Sequence, residues 1–167
     1  MLILYTGNGK GKTSACVGQA LRAAGQGMAV AFGQFMKRDN QSGEQRILKR
    51  LLGTFFFAGG EGFFRYEKDR ARHRAAALNT LAWGKNILSG ADMLVLDETL
   101  YALNAALLTK GEVANLVETS GMLDRHLVLS GRNAPDWLVQ LADIVTEMRE
   151  IKHPCRDGVA AAPGIEF

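Results

Sequence analysis

Residues 2–15 read LILYTGNGKGKTSA, and the parsing of this stretch decides the fold. Residues 2–5 form a short apolar run. It enters a segment with glycine at positions 7, 9 and 11, followed directly by Lys12 and Thr13. The usual phosphate-binding loop is G-x-x-x-x-G-K-[ST], set between a strand and a helix. If Gly11-Lys12-Thr13 supplies the G-K-T, the leading glycine belongs at position 6, where this chain has Thr6. Gly7 arrives one residue late. The context is still the right one, since a strand over residues 2–5 precedes the loop and a helix over about residues 11–24 follows it. Glycines let backbone N–H groups approach a phosphate closely, and a helix start adds its positive dipole end. Lys12 can reach phosphate oxygens as a point charge, and the Thr13 hydroxyl can ligate Mg²⁺.

Beyond the loop, short apolar runs alternate with longer helical patterns, which predicts an α/β fold with a mostly parallel sheet and flanking helices. This is the RecA-like P-loop NTPase architecture, expected as a single domain over residues 1–167. Strands are expected at 28–35, 54–57, 92–98, 126–131 and 143–152, and a long helix at about 68–88. The run DMLVLDE at 92–98 is a buried strand that ends in Asp97 and Glu98. Carboxylates there sit at the carboxyl end of a central strand, where open α/β sheets bind ligands. One of the two acids is expected to help place Mg²⁺ beside Thr13. The strand LSGR ending at Arg132 puts a cation at the same edge, to clamp a triphosphate or stabilise a leaving group.

With 47% hydrophobic and 22% charged residues, the composition is that of an ordinary globular chain. A net charge of +3 suits anionic ligands, but no lysine-arginine block is dense enough to argue for nucleic acid. The basic run KDRARHR at 68–74 reads as a solvated helix face. Cys16 and Cys155, far apart in sequence, read as two unpaired thiols in a reducing compartment. No stretch reads as a signal peptide or a membrane span, so a cytoplasmic location is expected. His73, His126 and His153 read as structural rather than catalytic. None falls in an obvious loop with the phosphate machinery; Glu98 could serve as a base, but the sequence offers no dedicated candidate.

The segments TGNGKGKT (6–13), QFMK (34–37), VLDE (95–98), SGR (130–132), LAD.V.EMR..KH (141–153) and GV.AA.GIEF (158–167) occur in order along nearly the whole chain. Together they resemble the P-loop ATP:co(I)rrinoid adenosyltransferases, in which the one-residue-short loop is the normal form. The resemblance implies that ATP lies reversed relative to ordinary P-loop enzymes. A Co(I) corrinoid then attacks the 5′-carbon, and the whole triphosphate leaves. It assigns ATP binding to Thr6, Gly7, Asn8, Gly9, Lys10, Gly11, Lys12, Thr13 and Ser14, with Asn8 helping to select the reversed nucleotide. Metal binding goes to Thr13, Asp97 and Glu98, and catalysis to Lys12, Glu98 and Arg132. Cobalamin or a precursor is the expected corrinoid, with Mg²⁺ as cofactor, a homodimer as assembly and a reducing flavoprotein as partner.

Two departures from the family pattern stand out. Many members carry an N-terminal arm before the first strand, whereas Met1 precedes it directly here, so a more open corrinoid side is expected. Where the family has Gly-Phe-x-Trp against the corrinoid, this chain has GFFRY at 62–66, with Arg65 in the tryptophan position. Phe63, Phe64 and Tyr66 are therefore the expected corrinoid contacts. Two other functions fit the same residues: an NTPase or kinase in which Glu98 polarises water, and a non-catalytic carrier of adenosylated corrinoid.

Overall fold

The structure is a computed structural model that describes residues 1–166, the Cys155 side chain excepted. In chain order its elements are β1 (Leu2–Thr6), α1 (Lys12–Gly25), β2 (Val30–Gln34), α2 (Gly43–Leu52), β3 (Phe56–Ala58) and α3 (Arg70–Ile87). They continue with β4 (Met93–Asp97), α4 (Thr99–Asn104), α5 (Lys110–Met122), β5 (His126–Ser130), α6 (Asp136–Leu141) and β6 (Ile144–Glu147). The strands form a single six-stranded sheet in the order β3-β2-β4-β5-β1-β6. Every pairing is parallel, as the RecA-like reading requires.

Alternation along the central strands divides the core between the two faces of the sheet. Leu2 and Leu4 of β1, Leu94 and Leu96 of β4, and Leu127 and Leu129 of β5 belong to one apolar cluster, with Ala77 and Leu81 of α3 and Leu116 of α5. Ile3, Met93, Val95 and Val128 turn the other way and pack with Cys16, Ala20 and Ala23 of α1 and Leu48 of α2. Because the strands are parallel, their carboxyl ends share one edge. The loop after β1, the acids after β4 and the SGR turn after β5 are thereby brought together.

Some expectations need correction. The predicted last strand over 143–152 is only Ile144–Glu147, because its partner β1 runs out at the Thr6–Glu147 pair. The basic run at 68–74 is not simply solvated. His73 is buried and meets the Phe64 ring edge-on at 5.5 Å, while Arg74 pairs with Glu112 at 2.5 Å. Cys16 is a buried free thiol. The Cys155 thiol and the closing Phe167 of the GIEF segment lie outside the described residues. Among the described residues, no helix is long and apolar enough to cross a membrane.

Candidate active site

The loop between β1 and α1 is held from behind by the chain that leaves β6. Gly9 N–H donates to the Met148 carbonyl at 2.7 Å, and Met148 N–H donates to the Thr6 carbonyl at 2.8 Å. A Cβ on Gly7 would lie 2.4 Å from the Met148 oxygen, and the Gly7 φ of +97° is in the region that side chains avoid. A Cβ on Gly9 would lie 2.8 Å from the Arg149 carbonyl carbon. These two glycines therefore serve close packing against residues 147–149. In the sequence only their value for approaching phosphate is legible.

Lys12 is buried, and its Nζ donates to the Gly7 carbonyl at 2.9 Å and the Gly9 carbonyl at 2.7 Å. The ammonium thus stands inside the loop with its charge pointed where a phosphate chain would run. Burial lowers its pKa from the ordinary lysine value, with the Glu98 charge opposing and the Arg132 charge adding to the decrease.

The two acids after β4 have separate environments. Asp97 is fully buried and accepts hydrogen bonds from Thr13 Oγ1 at 3.0 Å, Ser130 Oγ at 2.7 Å and Gln34 Nε2 at 3.3 Å. Lys37 Nζ lies 4.0 Å away. Glu98 adopts a left-handed φ of 62° and donates its N–H to Ser130 Oγ at 3.0 Å. Burial, and then the Asp97 charge beside it, push its carboxyl up to about 7. One hydroxyl, that of Ser130, thus joins both acids to the end of β5.

Lys37 and Glu44 form a charged pair next to Asp97, 2.5 Å apart, and Gln34 Nε2 donates to both Glu44 and Asp97. Burial opposes ionisation of Glu44, but hydrogen bonds from Lys37 and from Ser42 outweigh it and hold the carboxyl at about 2. Nothing local in the QFMK segment gives Gln34 or Lys37 a role. Their approach to Asp97 depends on β2 pairing with β4, which places Gln34 opposite Asp97.

These groups surround an open cavity of about 1060 Å³. Asn8, Gly9, Lys10, Gly11, Lys12, Thr13 and Ser14 line it, as do Glu98 and Arg132. Asp97 lies beneath, bonded to Thr13. Thr6 and Gly7 instead face a smaller cavity of about 310 Å³ behind the loop, where Thr6 Oγ1 accepts from Ala134 N–H at 3.2 Å. Phe63, Phe64 and Arg65 also line the large cavity. Phe63 is 53% exposed and meets Tyr101 edge-on at 5.1 Å. Phe64 is held through its carbonyl by the Tyr101 hydroxyl at 3.0 Å. Tyr66 is exposed outside this lining, with Lys68 Nζ 5.6 Å from its ring centre.

The C-terminal segment also reaches the cavity, where Glu150, His153, Ile165 and Glu166 form part of the lining. This corrects the expectation for His153, which shares a wall with the phosphate machinery. Arg156 pairs with Glu150 at 2.6 Å, and Glu166 accepts from Ala162 N–H at 2.6 Å, so the segment is folded on itself as it crosses. The available signal was the GIEF resemblance, which marks the segment without saying where it goes.

As chemistry, the arrangement offers cations and backbone donors for a phosphate chain beside a wall of exposed aromatic surface. Thr13 and the adjacent acids form the donor set that Mg²⁺ favours, a hydroxyl and one or two carboxylates completed by substrate phosphates and water.

Comparison with known proteins gives the family. The family model described as ATP:corrinoid adenosyltransferase BtuR/CobO/CobP matches residues 1–167. A corrinoid adenosyltransferase from Sinorhizobium sp. is 37% identical over 171 aligned positions, covering 100% of this chain and 80% of that protein. The corrinoid adenosyltransferase CobA of Salmonella typhimurium is 34% identical, covering 100% of this chain and 85% of that one. Among solved structures, the flagellar accessory protein FlaH of Methanocaldococcus jannaschii superposes with a TM-score of 0.55 at 12% identity, over 87% of this chain and 69% of that chain. That likeness bears on the fold alone. The chain belongs to the ATP:corrinoid adenosyltransferase family.

Proposed function

We propose that the protein transfers the 5′-deoxyadenosyl group of ATP to a Co(I) corrinoid and releases triphosphate. The observation that carries this is that one cavity of about 1060 Å³ is lined by both the phosphate loop and the Phe63–Phe64 pair. Small-molecule sites occupy roughly 300–1000 Å³, so this one is roomy enough for a nucleotide and one face of a second, flat substrate.

In the reaction the Co(I) lone pair attacks C5′ and a cobalt–carbon bond forms. The C5′–O bond breaks, and the triphosphate departs with its electron pair. Co(I) becomes formally Co(III). So strong a nucleophile needs no general base. What the protein must supply is electrostatic stabilisation of the leaving group. Lys12, poised on the Gly7 and Gly9 carbonyls, can exchange those acceptors for phosphate oxygens. Arg132 and the N–H groups at the start of α1 face the same space. Thr13 with Asp97 or Glu98 would hold Mg²⁺, which when bound neutralises charge on the triphosphate. The aromatic wall orients the corrinoid and keeps other ligands from its cobalt.

The same reading includes a single-domain cytoplasmic protein that works as a homodimer and receives electrons from a reducing flavoprotein. The edge strand β6, with Ile144 and Val145 about two-fifths exposed, offers apolar surface that a second copy would cover. Product analysis after anaerobic incubation with ATP and chemically reduced corrinoid tests the chemistry. Inorganic triphosphate and an alkylated corrinoid are expected. ADP with phosphate would instead mean that Glu98, with its pKa near neutrality, activates water.

A further inference from the structure

Lysines and arginines line the cavity, and most have an evident task. Lys10, Lys12 and Arg132 belong to the loop and to the edge bearing the acids, and Lys37 is paired with Glu44. Arg65 differs, because it stands in the aromatic segment, directly after Phe63 and Phe64. The acids nearest to it in sequence are taken by other arginines. Glu61 lies 3.8 Å from Arg38 and 4.0 Å from Arg72, and Glu67 pairs with Arg70. Among the described residues no carboxylate lies within ion-pair distance of Arg65. An exposed arginine thus lines the cavity directly after the two phenylalanines that suit a flat macrocycle.

We propose that Arg65 makes this protein prefer corrinoids with ionised carboxylate side chains over their fully amidated counterparts. The inference rests on the adenosyl-transfer reading above and narrows its substrate class. A corrin ring carries acetic and propionic side chains around its rim, each present as acid or as amide. With the ring against Phe63 and Phe64, the rim falls beside the next residue. A guanidinium only donates hydrogen bonds, through a planar fork that matches both oxygens of a carboxylate. A primary amide offers one acceptor oxygen and sets its own N–H donors against the rest of the fork. The charged pairing is the stronger one and is weakened by salt, since Arg65 is open to solvent.

The test compares cobyrinic acid, which keeps its carboxylates, with cobinamide, in which they are amidated. Both are chemically reduced to Co(I), with ATP saturating. The ratio of kcat/KM for acid over amide is expected to be about tenfold in the wild type. It should fall towards one in Arg65→Gln and stay intermediate in Arg65→Lys, which keeps the charge without the fork. The wild-type ratio should also shrink as ionic strength rises, and KM for ATP should not change with Arg65→Gln. An unaltered ratio in Arg65→Gln, with both corrinoids still adenosylated, would overturn the role of Arg65 and leave the reaction standing. A raised KM for ATP with the ratio unchanged would also overturn it, assigning Arg65 to the triphosphate. If neither corrinoid is adenosylated by the wild type, the reaction itself fails and the preference with it.

Discussion

Glu98→Gln isolates the cost of keeping a second carboxyl beside the buried Asp97. In the folded protein the Glu98 carboxyl is pushed up to about 7 from an ordinary 4.5, by burial first and the Asp97 charge second. A raised carboxylate pKa means that the folded state holds the proton more tightly than the unfolded chain does. Stability is then greatest below about pH 4.5 and is lost as pH rises from there to about 7. The interval corresponds to roughly 3 kcal/mol at about 1.4 kcal/mol per pH unit. Water at the open cavity reduces this, so about 1–3 kcal/mol is expected. Glutamine has nearly the same shape and no charge, so the variant should match the wild type near pH 5 and exceed it near pH 8. For a chain of this size the excess is a Tm difference of about 2–12 °C. Thermal unfolding of both ligand-free proteins across that range measures it, and other titrating groups cancel in the difference. A difference that stays flat with pH would refute the assignment of the raised pKa to Glu98.

Two further perturbations address the loop and the aromatic wall. Gly7→Ala forces a methyl to within 2.4 Å of the Met148 oxygen at a φ of +97°. It should cost roughly 2–4 kcal/mol in urea denaturation, whereas Gly18→Ala, facing open space in α1, should be neutral or stabilising by up to about 1 kcal/mol. Equal midpoints for the two variants would mean that the loop does not depend on its backing. Phe63→Ala should leave KM for ATP unchanged while removing the spectrum of four-coordinate Co(II). It should also lower turnover with a mild protein reductant by about tenfold, roughly 1.4 kcal/mol. Turnover on preformed Co(I) should suffer far less, and a wild-type Co(II) spectrum in the variant would place the corrinoid elsewhere.

What could be read in advance was what is local. The strand–loop–helix unit around Lys12 and the strand ending in Asp97 and Glu98 announce themselves, because apolar runs and their terminating residues adjoin in sequence. Helices α2 and α5 were not marked out. Their buried faces include Gln45 and Ser120, so the apolar period is broken where a helix would otherwise be seen. Gln45 is buried because its Nε2 donates to Gln34 Oε1 at 2.8 Å and to the Arg38 carbonyl at 3.0 Å, contacts that exist only once β2 and α2 have met. The end of β6 is easily overrun because apolar residues recur at Met148 and Ile151, while the pairing with β1 ends at Glu147. His153 was misplaced for a similar reason: a residue that follows the last strand can turn to either side, and no periodicity chooses between them.

The attachment of the phosphate loop to Met148 has a consequence for the order in which the molecule is made. On the ribosome, residues 6–13 emerge well before residues 147–149, the backbone that braces them. Until β6 has emerged and docked beside β1, the Gly9 N–H lacks the Met148 acceptor that holds it in the finished protein. Contacts between such distant segments form late and only as the sheet closes. A partly synthesised chain therefore displays the nucleotide signature without the shape that reads it. Competence for ATP should appear only once residues 144–149 have emerged and docked, and ribosome-bound chains halted before residue 144 should have none of it.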